Sequence, residues 1–141
     1  MRLVLDTNVV VAGFLWQGPP NRLVQQAFDG IIELATSPAL LVELEGILQR
    51  EKFAPRLAMQ SFSAAGLVLR YAELAQLVHP ASISAVVLDD PDDDHVLACA
   101  LAEVTRADFL VTGDKSGLLS LKKHGRTAIV SARKFLDIIS K

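Results

Sequence analysis

Short aliphatic runs alternate along this chain with longer stretches in which apolar residues recur at helical spacing. The runs predict β-strands at residues 2–5, 31–35, 108–111 and 127–130, with a further short candidate at 76–79. Strands that are separated by helices in this way form parallel sheets with helices on both faces. The sequence therefore predicts an α/β fold, a three-layer α/β/α sandwich around a central parallel sheet.

Capping residues and apolar periodicity predict the helices between these strands. Ser37 fits the cap of a helix whose first turn contains Pro38. Ser131 fits the cap of a last helix, and Asn21 the cap of an earlier one. The predicted helices cover about residues 9–16, 21–28, 38–50, 55–71, 92–104 and the stretch after 131, with a short helix or turn at 116–121.

Length and composition indicate an ordinary globular protein. The chain has 141 residues, which fits one domain over 1–141, and 51% of them are hydrophobic. The net charge of −2 does not mark the whole surface as a binder of polyanions, so a nucleic acid would need local basic groups and a metal ion. The lone Cys99 lies in an apolar helical stretch and is interpreted as a core residue. No signal peptide or membrane-spanning run is visible, so we expect a cytoplasmic location and no membrane partner.

Acidic residues occur where predicted strands end and helices begin. Asp6 follows the first strand and Asp114 follows the strand at 108–111, while Glu43 and Asp94 lie on predicted helices. The carboxyl ends of parallel strands face one crevice, so these four carboxylates can converge. A cation would relieve their repulsion, and hard oxygen ligands suit Mg²⁺ or Mn²⁺. The pattern favours metal-assisted phosphoryl chemistry.

Each acid also has a simpler structural explanation. Asp6 and Asp114 fit turn or cap residues, and Glu43 fits a solvated helix position. Near Pro91, five aspartates stand close together, more than a helix N-terminus needs. Among them Asp94 is favoured as the ligand because core-type residues follow it at helical spacing, with Asp93 as its competitor.

Other side chains can support such a site. Thr7, Asn8 and Thr112 stand at the same strand ends and can orient carboxylates or substrate. Lys115, next to Asp114, is the best placed cation for a substrate phosphate. Trp16, Phe14 and Phe53 can stack bases or line a protein-binding groove, and core packing is the favoured role of Phe14.

At these residues the chain resembles the PIN-domain nucleases over nearly its whole length. The opening Asp6-Thr7-Asn8, the segment around Glu43, the run 91–98 and the Thr112-Gly113-Asp114 turn look like the family's four acidic motifs. The sequences of these motifs are most similar to those of the VapC-like toxins of toxin–antitoxin systems. The resemblance implies a divalent metal ion held by Asp6, Glu43, Asp94 and Asp114, endoribonuclease activity that leaves 5′-phosphate and 3′-hydroxyl ends, a homodimer and an antitoxin partner.

Three other functions compete with this interpretation. A haloacid-dehalogenase-like phosphatase requires a second aspartate two residues after Asp6, where this chain has Asn8. A receiver domain requires an acidic pair at the first strand, which is absent. A non-catalytic RNA- or protein-binding module would keep the fold without the chemistry, and metal-dependent cleavage would distinguish it from a nuclease.

Overall fold

The computed structural model describes residues 1–79, 99, 107–113, 123–124 and 127–140. Its strands form one sheet in the order β3-β2-β1-β4-β6-β5. The neighbours from β3 to β6 pair in parallel, and β5 pairs antiparallel with β6. The strands are β1 (Arg2–Leu5), β2 (Glu33–Thr36), β3 (Gln76–Leu77), β4 (Phe109–Val111), β5 (Lys123–His124) and β6 (Thr127–Val130).

Helices connect these strands and pack on one another as well as on the sheet. Helix α1 contacts α2 and α3, α3 contacts α5, and α6 contacts α2. The helices in the described part of the chain are α1 (Thr7–Leu15), α2 (Pro19–Phe28), α3 (Pro38–Leu48), α4 (Ala54–Met59), α5 (Ala64–Leu74) and α6 (Ala132–Ile139), with a 3₁₀ turn at Glu51–Phe53. None of them is long and apolar enough to cross a membrane.

The central strands β1, β2 and β4 are buried on both faces of the sheet. Leu3, Leu5 and Leu34 point into one core cluster with side chains from the helices described above. Val4, Ala35 and Leu110 are paired neighbours in the sheet, are fully buried, and lie outside that cluster. Because successive side chains of a strand point to opposite faces, these three residues fill the other face. Burial on both faces explains why the strands are continuous aliphatic runs.

The predicted fold class is confirmed, since a parallel sheet flanked by helices is observed. Two local predictions were wrong, and one short strand was missed. The stretch 55–71 is two helices, separated at Ser61, whose positive φ of 59° ends the first one. Helix α2 begins at Pro19 after Gly18, and Asn21 is inside it and donates a side-chain hydrogen bond to the Gly13 carbonyl. The short antiparallel β5 was not predicted, because two residues carry no readable periodicity. Most of the predicted helix 92–104, and all of 116–121, lie outside the described residues.

Candidate active site

Asp6 lies at the end of β1, in the N-cap position of α1, and is 5% exposed. Its backbone N–H donates to the Val111 carbonyl of the neighbouring strand β4 at 2.9 Å. An aspartate at an N-cap usually accepts hydrogen bonds from the first amides of the helix. The Asp6 side chain makes no such bond; its Oδ2 accepts one from the Thr112 hydroxyl at 2.8 Å. Helix capping therefore does not account for the Asp6 carboxylate.

Thr7 connects Asp6 to Glu43, which lies on α3. The Thr7 Oγ1 is 2.8 Å from Glu43 Oε1 and 3.4 Å from Asp6 Oδ1. A hydroxyl has one proton to donate, and the shorter distance assigns it to Glu43. Thr7 is 2% exposed and Glu43 is partly buried, so this contact is shielded from water. One hydroxyl oxygen thus touches carboxylates from two different elements.

Thr112 also contacts Asp6 and donates to it from the end of β4. It follows β4 directly, is 0% exposed, and its backbone N–H donates to the Val130 carbonyl of β6. Since β4 lies between β1 and β6, the backbone here is bonded on both sides, at Thr112 to Val130 and at Val111 to Asp6. The Thr112 hydroxyl is therefore aimed at Asp6 by the register of the sheet.

The donor set suits a hard divalent cation. The carboxylates of Asp6 and Glu43 both lie next to the Thr7 hydroxyl. Two negative charges so close repel each other, and a cation between them would offset the repulsion. Within the described residues, no three histidine, cysteine, aspartate or glutamate side chains form a group that could hold a metal ion. Asp6 and Glu43 are thus two carboxylates beside one hydroxyl, one fewer than such a group requires.

Four predicted residues, Asp93, Asp94, Asp114 and Lys115, lie outside the described residues. Asn8 is described, and it is exposed in the first turn of α1, next to Thr7. The structure thus brings together Asp6, Thr7, Glu43 and Thr112, with Asn8 at the rim.

The carboxyl edge of the sheet also contains a cluster of buried polar side chains that the sequence did not predict. Thr36 ends β2, Ser37 caps α3 by accepting from the Leu40 N–H, and Tyr71 approaches from α5. Burial raises the pKa of Tyr71 above its ordinary 10.0, which the nearby Cys99 thiol reinforces and Thr36 opposes. Burial also raises the pKa of Cys99 to about 12, against the lowering effect of a hydrogen bond with Ser37. The available signal was that Tyr71 is the only tyrosine and lies four residues after the buried Leu67.

A model of the family described as "PIN domain" matches residues 2–116. The chain belongs to the PIN domain family. The matched segment includes all four acids predicted as ligands, Asp6, Glu43, Asp94 and Asp114. PIN domains are in general nucleases, and membership places this chain in a nuclease family.

The PIN fold is also found by comparison with solved structures. VapBC2 from Rickettsia felis, solved bound to a DNA fragment from its promoter, matches with a TM-score of 0.56 and 16% identity, over 92% of this chain and 97% of that one. At this level of identity the similarity shows the shared fold. No curated protein matches this PIN domain in sequence.

Proposed function

We propose that this PIN domain is a divalent-metal-dependent endoribonuclease that hydrolyses RNA phosphodiester bonds. The observation that supports this best is the Asp6 carboxylate, which leaves the helix N-terminus uncapped and instead accepts from Thr112 beside the Thr7–Glu43 contact. Burying one carboxylate close to a second one is costly, and a bound cation would offset both charges.

The proposed ligands are Asp6, Glu43, Asp94 and Asp114, with Asp93 as the alternative to Asp94. Mg²⁺ or Mn²⁺ bound there would supply an activated water and offset the charge that develops on the phosphate. Thr112 and Thr7 restrain the Asp6 and Glu43 carboxylates by donating to them. Because Thr7, Asp6 and Thr112 are buried, these hydrogen bonds are shielded from water on the side of the threonines and Asp6. Asn8 and Lys115 are proposed to contact the RNA at the rim.

The decisive experiment is cleavage of a mixed pool of single-stranded RNA by purified protein, with Mg²⁺ or Mn²⁺ and with a chelator. Asp6→Asn should abolish cleavage, because an amide of the same shape is a weak cation ligand, while the circular dichroism spectrum stays unchanged. Asp29→Asn makes the same exchange on the exposed end of α2 and should cleave like the native protein. Full activity of Asp6→Asn in a preparation free of contaminating nuclease would refute the assignment. RNA binding without cleavage by the native protein would favour a non-catalytic module.

The same proposal extends to a toxin with an antitoxin partner. It is supported by the fold shared with a protein from a complex named VapBC2. The similarity of the acidic motifs to those of VapC-like toxins also supports it. Expression of the native chain alone should arrest bacterial growth, and expression of Asp6→Asn should not. Unimpaired growth during expression of a protein that cleaves RNA in vitro would contradict the toxin role and leave the nuclease role standing. The homodimer stays a prediction, to be checked by light scattering.

A further inference from the structure

An aromatic pair with two cations over its rings lies at the far end of α1 from Asp6. Trp16 is exposed, whereas Phe53 is partly buried and packs against the core. The rings of Trp16 and Phe53 meet edge to face with 6.2 Å between their centroids. The Arg56 guanidinium lies 5.2 Å from the centre of the Trp16 ring, and the Lys52 ammonium lies 5.1 Å from that of Phe53. Trp16 is nevertheless 42% exposed, so much of its ring surface stays open to solvent.

The α1 C-terminus holds this pair in place. Trp16 is the C-cap residue of α1, and the Arg56 Nε donates to the Leu15 carbonyl at 2.6 Å. That hydrogen bond satisfies one of the carbonyls that a helix end leaves without an internal partner. It accounts for Arg56 structurally, but it does not require an exposed indole beside the guanidinium. Trp16 therefore presents an exposed aromatic ring beside a guanidinium that is itself bonded to the end of α1.

The charge around the pair is locally positive. Residues 50–56 contain three cations, Arg50, Lys52 and Arg56, against the single acid Glu51, in a chain whose net charge is −2. Proteins that bind single-stranded nucleic acid combine such positive surface with aromatic rings on which bases stack. The combination here fits that chemistry.

Geometry connects the pair to the candidate active site. Helix α1 starts at Thr7 and has nine residues, which corresponds to about 14 Å at about 1.5 Å per residue. Asn8 and Trp16 are exposed and Ala12 is partly so, each one helical turn from the next. An exposed line thus follows α1 from the site to the aromatic pair. Its length equals roughly four stacked nucleotides at about 3.4 Å each.

We propose that Trp16 and Phe53 form a base-stacking subsite for single-stranded RNA, about four nucleotides from the phosphate that is cleaved, with Lys52 and Arg56 attracting the backbone. The inference rests on the proposed nuclease function and adds a substrate-positioning surface to it. The subsite acts on binding and leaves the chemical step unchanged.

Phe28 provides a matched control elsewhere on the surface. It is 41% exposed, and the Arg70 guanidinium lies 4.8 Å from its ring centre, so ring exposure and cation resemble those of Trp16. Its surroundings differ, since Arg70 pairs with Glu73 at 3.9 Å and Asp29 follows Phe28 in sequence. This acidic setting disfavours a phosphate backbone.

Trp16 is the only tryptophan, so tryptophan emission, excited selectively over that of Tyr71, reports on this site alone. Single-stranded RNA of about twelve nucleotides, within the site sizes that such surfaces take, is titrated into the Asp6→Asn protein, which cannot consume it. We expect the tryptophan emission to be quenched in parallel with the rise in anisotropy of a labelled copy of the RNA. Binding without any change in emission would overturn the stacking subsite. Absence of RNA binding would overturn it as well, and cleavage by the native protein then decides separately whether the nuclease proposal survives.

Cleavage kinetics test the positioning role independently. Trp16→Leu keeps an apolar side chain but loses stacking, and it should raise KM for the long RNA between about fivefold and a hundredfold with kcat unchanged. Trp16→Phe should restore most of the loss, and Phe28→Leu should have no effect. For an RNA of two nucleotides, too short to reach Trp16, none of the three variants should differ from the native protein. Equal KM values for Trp16→Leu and the native protein on long RNA would refute the subsite, as would a matching loss on the short one. If the native protein cleaves neither RNA, the nuclease proposal fails and the fluorescence titration alone decides on stacking.

Discussion

Two threonine hydroxyls define the candidate site at the level of single residues. Thr112 donates to Asp6 and Thr7 donates to Glu43, both at 2.8 Å. Carboxylates that hold a metal ion commonly have such neighbouring donors, which fix their orientation. Each acid of the described site therefore has its own hydroxyl support.

Thr112→Val removes one of these donors and keeps the shape of the side chain. We expect cleavage to fall by roughly 10- to 100-fold, because the Asp6 carboxylate loses the bond that orients it. The free energy of unfolding should fall by about 1–3 kcal/mol, since a buried hydrogen bond to a charged group is lost. Initial cleavage rates and urea denaturation measure the two effects.

Thr127→Val is the matched control for this change. Thr127 is also buried, at the start of β6. Its hydroxyl donates to the Ala107 carbonyl at 2.8 Å, the distance found between Thr112 and Asp6. It should lower stability by a comparable amount and leave cleavage unchanged. Equal loss of cleavage in both variants would mean that Thr112 acts through stability alone.

At the scale of elements, the N-terminus of α3 determines where Glu43 lies. Ser37 caps this helix through its Oγ, which accepts from the Leu40 N–H at 3.3 Å. Ser63 and Ser131 cap α5 and α6 in the same way. None of the four proposed metal ligands lies on either of these two helices.

Ser37→Ala, Ser63→Ala and Ser131→Ala should each cost about 1 kcal/mol of unfolding free energy, since each loses an N-cap. Ser37→Ala alone should raise the Mg²⁺ concentration needed for half-maximal cleavage, because it loosens the helix that carries Glu43. Cleavage titrated against Mg²⁺ tests this. Identical titrations for all three variants would show that α3 is positioned by its packing and not by its cap.

Alanine substitutions at two helical glycines should change the stability of the protein in opposite directions. A Cβ at Gly13 would lie 2.7 Å from Val24 Cγ2 and 3.0 Å from the Pro20 carbonyl oxygen, whereas a Cβ at Gly46 would meet nothing within 4 Å. Gly13→Ala should destabilise the protein by about 1–3 kcal/mol through overpacking of α1 against α2. Gly46→Ala should stabilise it by about 0.4–1 kcal/mol through helix propensity. Thermal and urea denaturation give both signs, and stabilisation by Gly13→Ala would contradict the close approach of the helices.

At the scale of the whole molecule, stability should depend on alkaline pH through Cys99 and Tyr71. Burial raises the pKa of Cys99 from 9.0 to about 12, and it raises the pKa of Tyr71 above 10.0. Above pH 9 the unfolded chain therefore releases protons that the folded chain retains, and the free energy of unfolding falls as pH rises. The contribution of Cys99 is complete below pH 9 and is lost towards pH 12.

Urea denaturation at a series of pH values checks this expectation. Cys99→Ala should flatten the first part of the decline, just above pH 9, and Tyr71→Phe should flatten the part above pH 10. A native protein whose unfolding free energy stays constant between pH 9 and pH 10 would contradict the burial of the thiol. A decline of the same steepness in Cys99→Ala would assign it to other groups.

Local patterns were sufficient for much of the fold. Aliphatic runs predicted β1, β2, β4 and β6 to within two residues, because strands buried on both faces have few other compositions. Proline and serine predicted the start of α3, because capping chemistry is local. Ser61 was missed, since a positive φ at a serine has no sequence signature, and it divides 55–71 into α4 and α5.

The sequence by itself determined the α/β class and nominated Asp6 and Glu43, because strand periodicity and acids at strand ends can be read within a few residues. Only the tertiary structure decided which hydroxyl serves which carboxylate. Thr7 reaches Glu43 across 36 residues, and Thr112 reaches Asp6 across 106. The second contact exists because β1 pairs with β4 in the register that sets Leu5 opposite Val111, which puts Asp6 beside Thr112. Register is a property of the assembled sheet, and no local stretch of the chain specifies it.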